Sequence, residues 1–271
     1  MIKVDSHAHV FSSKLKMVKQ RRYTPSYNAS VEEFIANFDK NGLTCGVLIQ
    51  PSFLGTDNSY MIDAIRQHLD KLYGVVVVNP DIELEELQKL DKLNIIGIRL
   101  NLYGKEVPDL SSDIWQRCLM FLKKLDWHIE IHADAYILPP LVDIILASGV
   151  KVVIDHFGKP TSNAVVDDEG IKYLLSVANT RRIWVKISGV YRLDKKSGFE
   201  ESMKKAKQLI PILLESFGPD RLLWGSDWPH TQFENTILYD KIWDLFNKLI
   251  PDVSVRKAIL SKSFEDLLPH I

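Results

Sequence analysis

Eight short apolar runs recur along this chain of 271 residues, at 3–10, 46–50, 73–79, 95–101, 128–132, 150–156, 183–188 and 221–227. Between them lie stretches with apolar side chains at three- and four-residue spacing, such as Val31, Phe34, Ile35 and Phe38, or Trp115, Leu119 and Leu122. A short buried run followed by an amphipathic helix, repeated to the end, requires parallel strands joined by helical crossovers. Eight such units in about 250 residues are the usual content of a (β/α)8 barrel. No linker-like stretch and no change of composition divides the chain, so the expectation is an α/β fold, a single TIM-barrel domain over residues 1–271. An open doubly wound sheet would carry a glycine-rich phosphate loop after its first strand, and Phe11-Ser12-Ser13 is not one.

Charge and cysteine usage narrow the class. Thirty-four basic against 35 acidic side chains leave a formal charge of -1, so no global field favours nucleic acid or an anionic membrane surface. No apolar run approaches about 18 residues and no secretory leader pattern opens the chain, which predicts neither membrane insertion nor export. Cys45 and Cys118 lie far apart in apolar stretches and form no metal or redox motif, as expected of buried thiols in a cytoplasmic enzyme. The sequence does not set the oligomeric state.

In a barrel of this kind the active site sits at the C-terminal ends of the strands. The polar residues of the runs fall there. Alternate residues of a strand share a face, so Asp5, His7 and His9 are expected to project together from the first. In the fourth run Ile96, Ile98 and Leu100 form one apolar face and leave Gly97, Arg99 and Asn101 on the axial side. The same parity places Gln50 and Ser52, Glu130 and His132, His156, Lys186 and Ser188, and Asp227 at the ends of other strands. Burying so many ionisable groups is costly without partners or a ligand, which points to one shared site. Arg99 also has a structural reading, as an ion pair with Glu130, and His132 as a satisfied core histidine. Asp155 has the opposite parity to His156 and is expected to orient a neighbour. His68, His128 and His270 are expected to be surface or packing residues.

With His7-x-His9 on strand one, His132 on five, His156 on six and Asp227 on eight, the chain resembles the amidohydrolase superfamily of (β/α)8 hydrolases over its whole length. The segments RRYTP (21–25), QPSFLGTDN (50–58), IRLN (98–101), DHFGKP (155–160) and GSDWPH (225–230) are similar to the branch that contains 2-pyrone-4,6-dicarboxylate lactonase and sugar-lactone hydrolases. The resemblance implies opening of a small carboxylated lactone. Asp227 would activate water, and His7, His9 and His156 would polarise the carbonyl. Arg99, Tyr23, Ser52, Gln50, Lys159 and Arg192 would contact the substrate.

Strand four carries Arg99 and no lysine that could be carboxylated, which argues against a binuclear metal centre. Two readings stay open for the cofactor. One is metal-free. The other has one divalent ion, zinc or manganese, on His7, His9, His132 and Asp227, the pattern of related decarboxylases. A zinc-dependent non-oxidative decarboxylase of an aromatic or muconate-like carboxylate is therefore the alternative activity. A barrel that only binds a carboxylated ligand is disfavoured, since a carboxylate such as Asp227 beside the ligand would weaken an anion's binding.

Overall fold

The computed structural model describes residues 2–194 and 196–268. Eight parallel strands follow one another in chain order: β1 (Val4–Ala8), β2 (Cys45–Ile49), β3 (Leu72–Val76), β4 (Ile95–Asn101), β5 (His128–His132), β6 (Lys151–Ile154), β7 (Ile183–Lys186) and β8 (Leu222–Leu223). The last strand is only two residues long, but the chain beyond it closes the ring on β1. Ser6 N donates to Trp224 O at 2.9 Å, Asp227 N to His7 O at 2.8 Å and His9 N to Trp228 O at 2.8 Å. The expected (β/α)8 barrel is therefore observed.

The principal helices after each strand are α1 (Val31–Lys40), α2 (Ser59–Gln67), α3 (Leu84–Asp91), α4 (Asp113–Lys124), α5 (Leu138–Ser148), α6 (Glu169–Ser176), α7 (Phe199–Phe217) and α8 (Tyr239–Leu249). Local chemistry sets their ends. Ser30 and Glu33 form a reciprocal capping box at the start of α1, satisfying two otherwise unpaired backbone donors. Val31, Phe34 and Phe38 then form its buried stripe. That stripe lies so close to β2 that a Cβ on Gly46 would stand 2.4 Å from the Phe34 ring, so only glycine lets the helix dock there.

Two apolar clusters follow from strand alternation. Leu48, Ile98, Ile129, Ile131, Val152 and Val185 pack outward among the helices. Val47, Ile49, Val75, Val153, Trp184 and Leu223 pack inward with Phe264, Leu267 and Leu268 from the end of the chain. One detail departs from simple parity. The β3–β4 register shifts between Ile95 and Gly97, so Ile96 joins the inward cluster while Ile98 and Leu100 face outward. Cys45 and Cys118 are free and buried. No helix among the described residues is long and apolar enough to cross a membrane.

Candidate active site

The site rests on a floor of buried charges. Arg99 on β4 and Glu130 on β5 are direct register partners, Lys186 comes from β7, and Asp155 lies one residue past the end of β6. All four are at most 4 % exposed. Lys186 Nζ donates to Glu130, and Arg99 Nη2 donates to Asp155 Oδ2 at 2.8 Å. Two cations thus meet two carboxylates, without which their desolvation would be prohibitive. Burial and the neighbouring Asp155 push the Glu130 carboxyl up to about 7. Burial also opposes ionisation of Asp155, but the Arg99 and Lys186 cations beside it outweigh it and hold that carboxyl well below the ordinary range. Arg99 is therefore paired chiefly with Asp155, with Glu130 at 3.5 Å.

Three imidazoles stand on this floor. His7 Nδ1 lies 3.2 Å from Asp155 Oδ1 and 3.2 Å from Lys186 Nζ, while its buried Nε2 has no hydrogen-bond partner. His9 Nδ1 is 2.7 Å from the Ile49 carbonyl oxygen, an acceptor only, so Nδ1 carries the hydrogen and Nε2 a lone pair. His156 Nδ1 pairs with Ser188 Oγ at 2.9 Å, and its ring centroid is 4.9 Å from that of His7. Burial pushes His9 down to about 3, His156 down to about 4 and His7 well below its usual value, so all three are neutral at neutral pH.

Asp227 faces them from beyond β8, turned inward by a left-handed backbone conformation (φ 61°). Its two oxygens have different surroundings. Oδ2 accepts from Tyr191 Oη at 2.6 Å and from Arg192 Nε, whereas Oδ1 lies 3.8 Å from His7 Nε2 and 3.9 Å from His9 Nε2. Burial alone would raise this carboxyl, but the charge and hydrogen bond of Arg192 more than offset it and hold it well below the carboxylate range.

A cavity of about 650 Å³, including its open mouth, lies above these groups. Of the residues singled out in the sequence, His9, His132, His156, Asp227, Arg99, Tyr23, Ser52, Lys159 and Arg192 line it, whereas the fully buried His7 does not. Several are already engaged. Tyr23 Oη donates to Glu234 at 2.5 Å, Lys159 Nζ to Asp134 at 2.5 Å, and Arg192 to Asp227 and Thr231. Gln50 is a correction. Its side-chain amide donates to the carbonyls of Gly55 and Asp57, so it braces the following loop and does not line the cavity. Asp5 likewise does not share the inward direction of His7. Its carboxylate accepts from Ser226 N and Tyr239 Oη at the β1–β8 seam, where the β1–β2 register shifts between Asp5 and Ala8. His128 is a buried packing residue and His68 half-buried, while His270 lies outside the described residues.

Sequence reasoning missed three residues. Tyr191 holds Asp227, and its only sequence signal is its place beside Arg192. Arg22 and Tyr103 form part of the rim: the Arg22 guanidinium sits 4.6 Å from the Tyr103 ring centroid and donates to Asn101 at 3.1 Å. Among the described residues Arg22 has no carboxylate within ion-pair distance, unlike Arg99, Lys159 and Arg192.

The donor atoms of His7, His9 and Asp227 lie within 4.8 Å of one another, as do those of His7, Asp155 and His156. The first set is spaced to hold one divalent ion. His132 belongs to neither set. Its ring stacks on Tyr103 at 5.8 Å and both its nitrogens are buried without partners among the described residues, so the four-ligand set, one of the two cofactor readings the sequence leaves open, is not brought within 4.8 Å as the three-residue sets are.

Comparison with known proteins gives a consistent answer. A 4-sulfomuconolactone hydrolase from Rhizobium radiobacter is 30% identical over 264 residues, covering 94% of this chain and 86% of its own. A 2-pyrone-4,6-dicarboxylate hydrolase from Comamonas testosteroni is 30% identical over 266 residues, covering 95% and 87%. Among solved structures, a probable 2-pyrone-4,6-dicarboxylic acid hydrolase from Acinetobacter baumannii with citric acid bound superimposes with a TM-score of 0.92 at 38% identity, covering 98% of this chain and 99% of that one. The family model described as amidohydrolase matches residues 4–263, and the chain belongs to the amidohydrolase family.

Proposed function

We propose that this enzyme hydrolyses a small lactone carrying anionic ring substituents, with Asp227 as the general base. The observation that carries the reading is the division of labour within Asp227. Tyr191 and Arg192 fix Oδ2, while Oδ1 stands 3.8 and 3.9 Å from His7 Nε2 and His9 Nε2, too far for direct hydrogen bonds and close enough for one water oxygen seated beside the three atoms to contact them together.

The steps follow from the hydrogens available. A water between Oδ1 and the lone pair of His9 Nε2 gives a proton to Asp227 as its oxygen attacks the ring carbonyl carbon. The carbonyl oxygen gains the charge, and imidazole N–H groups of His7 and His156 stabilise it. His9 cannot share in that, because its one hydrogen is committed to Ile49. The carbon–oxygen bond of the ring then breaks, and the leaving oxygen takes the proton back from Asp227. A carboxyl held at low pKa by Arg192 is a modest base but a ready acid once protonated, which suits this second step. The product is the ring-opened acid. Were a divalent ion such as zinc or manganese bound, His7, His9 and Asp227 would hold it, and it would supply Lewis-acid polarisation and an acidified water.

Arg22, Arg99, Lys159 and Arg192 give the cavity its preference for anionic substituents. The dicarboxylate and sulfomuconolactone hydrolases among the relatives, and the citric acid bound by the Acinetobacter baumannii protein, support that charge type. The decarboxylase alternative loses support, because its zinc pattern needs His132 as a ligand. A panel of neutral, mono- and dianionic lactones, followed by proton release with chelated protein, tests the proposal. Turnover restricted to anionic lactones is expected. Folded protein that opens none of them, or that releases carbon dioxide only when zinc is supplied, would overturn it.

A further inference from the structure

Lys186 is a buried ammonium that reaches neither the cavity nor the gap beside Asp227. Its Nζ donates to Glu130, lies 3.6 Å from Asp155 Oδ1, and makes a 3.2 Å hydrogen bond with His7 Nδ1. An ammonium has only hydrogens to offer, so in that contact the Nδ1 lone pair accepts. Asp155 Oδ1 is equally near, at 3.2 Å, and Glu130 Oε1 lies at 3.6 Å, but neither oxygen is aligned to accept a ring hydrogen, and Arg99 takes the other oxygen of Asp155. A neutral imidazole carries one hydrogen. If Nδ1 accepts, that hydrogen is on Nε2, the atom that faces Asp227 Oδ1 and has no hydrogen-bond partner among the described residues.

We infer that Lys186 is a positioning residue that fixes His7 as its Nε2–H tautomer, so that His7 presents a hydrogen and not a lone pair to the gap beside Asp227. The gap then contains one donor from His7, one acceptor from His9 and one carboxylate oxygen. A water molecule and a carbonyl oxygen can use that set together. A divalent cation cannot, because coordination at His7 Nε2 requires the hydrogen to move to Nδ1, where Lys186 opposes it. Lys186 thereby biases the site toward chemistry without a metal, although three of its atoms are spaced for one. The inference rests on the lactonase reading only for the use of the hydrogen, since the tautomer exists without substrate.

The test is long-range proton–nitrogen correlation on chelated protein labelled with nitrogen-15 histidine, with His7 assigned by the loss of its signals in His7→Gln. Wild type is expected to show a protonated Nε2 and a lone-pair Nδ1. Lys186→Met removes the donor at similar length, and the hydrogen is expected to move to Nδ1 and toward Asp155. Zinc affinity measured by calorimetry should then rise about tenfold or more, the scale on which groups behind a ligand change metal binding. Lys186→Arg, which keeps a donor, should retain the wild-type pattern. Because Lys186→Met leaves Glu130 with Arg99 as its one cation, at 3.5 Å, Lys186→Met/Glu130→Leu provides a charge-balanced version that should show the same shift. A wild-type His7 protonated on Nδ1, or an unchanged tautomer in both methionine variants, would overturn the inference, and the wild-type spectrum decides even if no variant folds. A protein with Nε2 protonated that opens no lactone would refute the proposed activity and leave the role of Lys186 standing.

Discussion

Acidification from about pH 7 to about pH 5.5 should strip this protein of a large part of its stability, because it folds around neutral histidines. His7, His9, His128, His132, His156 and His230 are all buried and lowered, His9 and His128 to about 3 and His156 and His230 to about 4, with burial the leading cause in each. The unfolded chain takes up protons at these six positions near pH 6.5 while the folded chain declines them, so the unfolded state gains free energy as the pH falls. Over that interval each histidine costs about 1 kcal/mol, and the six together about 7 kcal/mol. Asp5, raised to about 6, and Glu130, raised to about 7, act in the opposite sense, because the folded state binds their protons first. They return about 2 kcal/mol, leaving a net loss of about 5 kcal/mol, comparable with the whole stability of a marginal domain. At about 2–4 °C per kcal/mol for a chain of this size, Tm should fall by about 10–20 °C. Thermal melts by circular dichroism at constant ionic strength, with chelator present to keep metals off the histidines, measure this directly. A shift under about 3 °C, or histidine resonances of the folded protein that titrate near 6.5, would refute the reasoning.

Asp227→Asn should retain the fold and lose about 10²–10⁴ in kcat, since an amide cannot take the proton of the attacking water, and activity within a few-fold of the parent in a steady-state assay would refute the role. Arg99→Met should lower stability by about 3–5 kcal/mol in denaturant titration, because it leaves Asp155 buried beside one cation fewer. Arg22→Gln should raise KM for a dianionic lactone far more than for a neutral one without changing Tm, as expected of an exposed rim cation that has no carboxylate partner among the described residues. His132→Ala should leave zinc stoichiometry by elemental analysis as it is in wild type, because His132 lies outside the ligand-spaced groups.

The fold was legible because hydrophobic period and strand count are local signals that survive packing. Ser30 and Glu33 announce their helix, and the axial residues Arg99, Glu130 and Lys186 could be placed by alternation alone. Alternation fails where the backbone leaves regular geometry. Asp5 sits at a register shift, Ile96 at another, and Asp155 beyond a strand that has already ended at Ile154. His156 and Asp227 owe their inward aim to left-handed backbone conformations that side-chain pattern does not encode. Gln50 has the right parity for the cavity, yet the loop carbonyls of Gly55 and Asp57 claim its amide. Arg22, Tyr103 and Tyr191 come from loops or single turns, where no period exists and only three-dimensional proximity shows their part in the site. His132 shows the converse: its residue type matches a ligand pattern, but in the structure it falls outside both ligand-spaced groups and stacks beside Tyr103.

The seam between β1 and β8 ties assembly of the enzyme to its chemistry. The hydrogen bond from Asp227 N to His7 O is a backbone link between residues 220 apart, and it belongs both to the last joint of the barrel and to the pair of residues proposed to hold the attacking water. A nascent chain therefore has no working centre until nearly all of it has been synthesised, however well its middle strands have formed. Partly folded or truncated molecules are inert by construction, and recovery of turnover during refolding reports ring closure itself. A circular permutant with linked ends and new termini in an outer loop far from the cavity would bring these two segments close in sequence, so that the seam forms early and activity returns sooner than in the natural order.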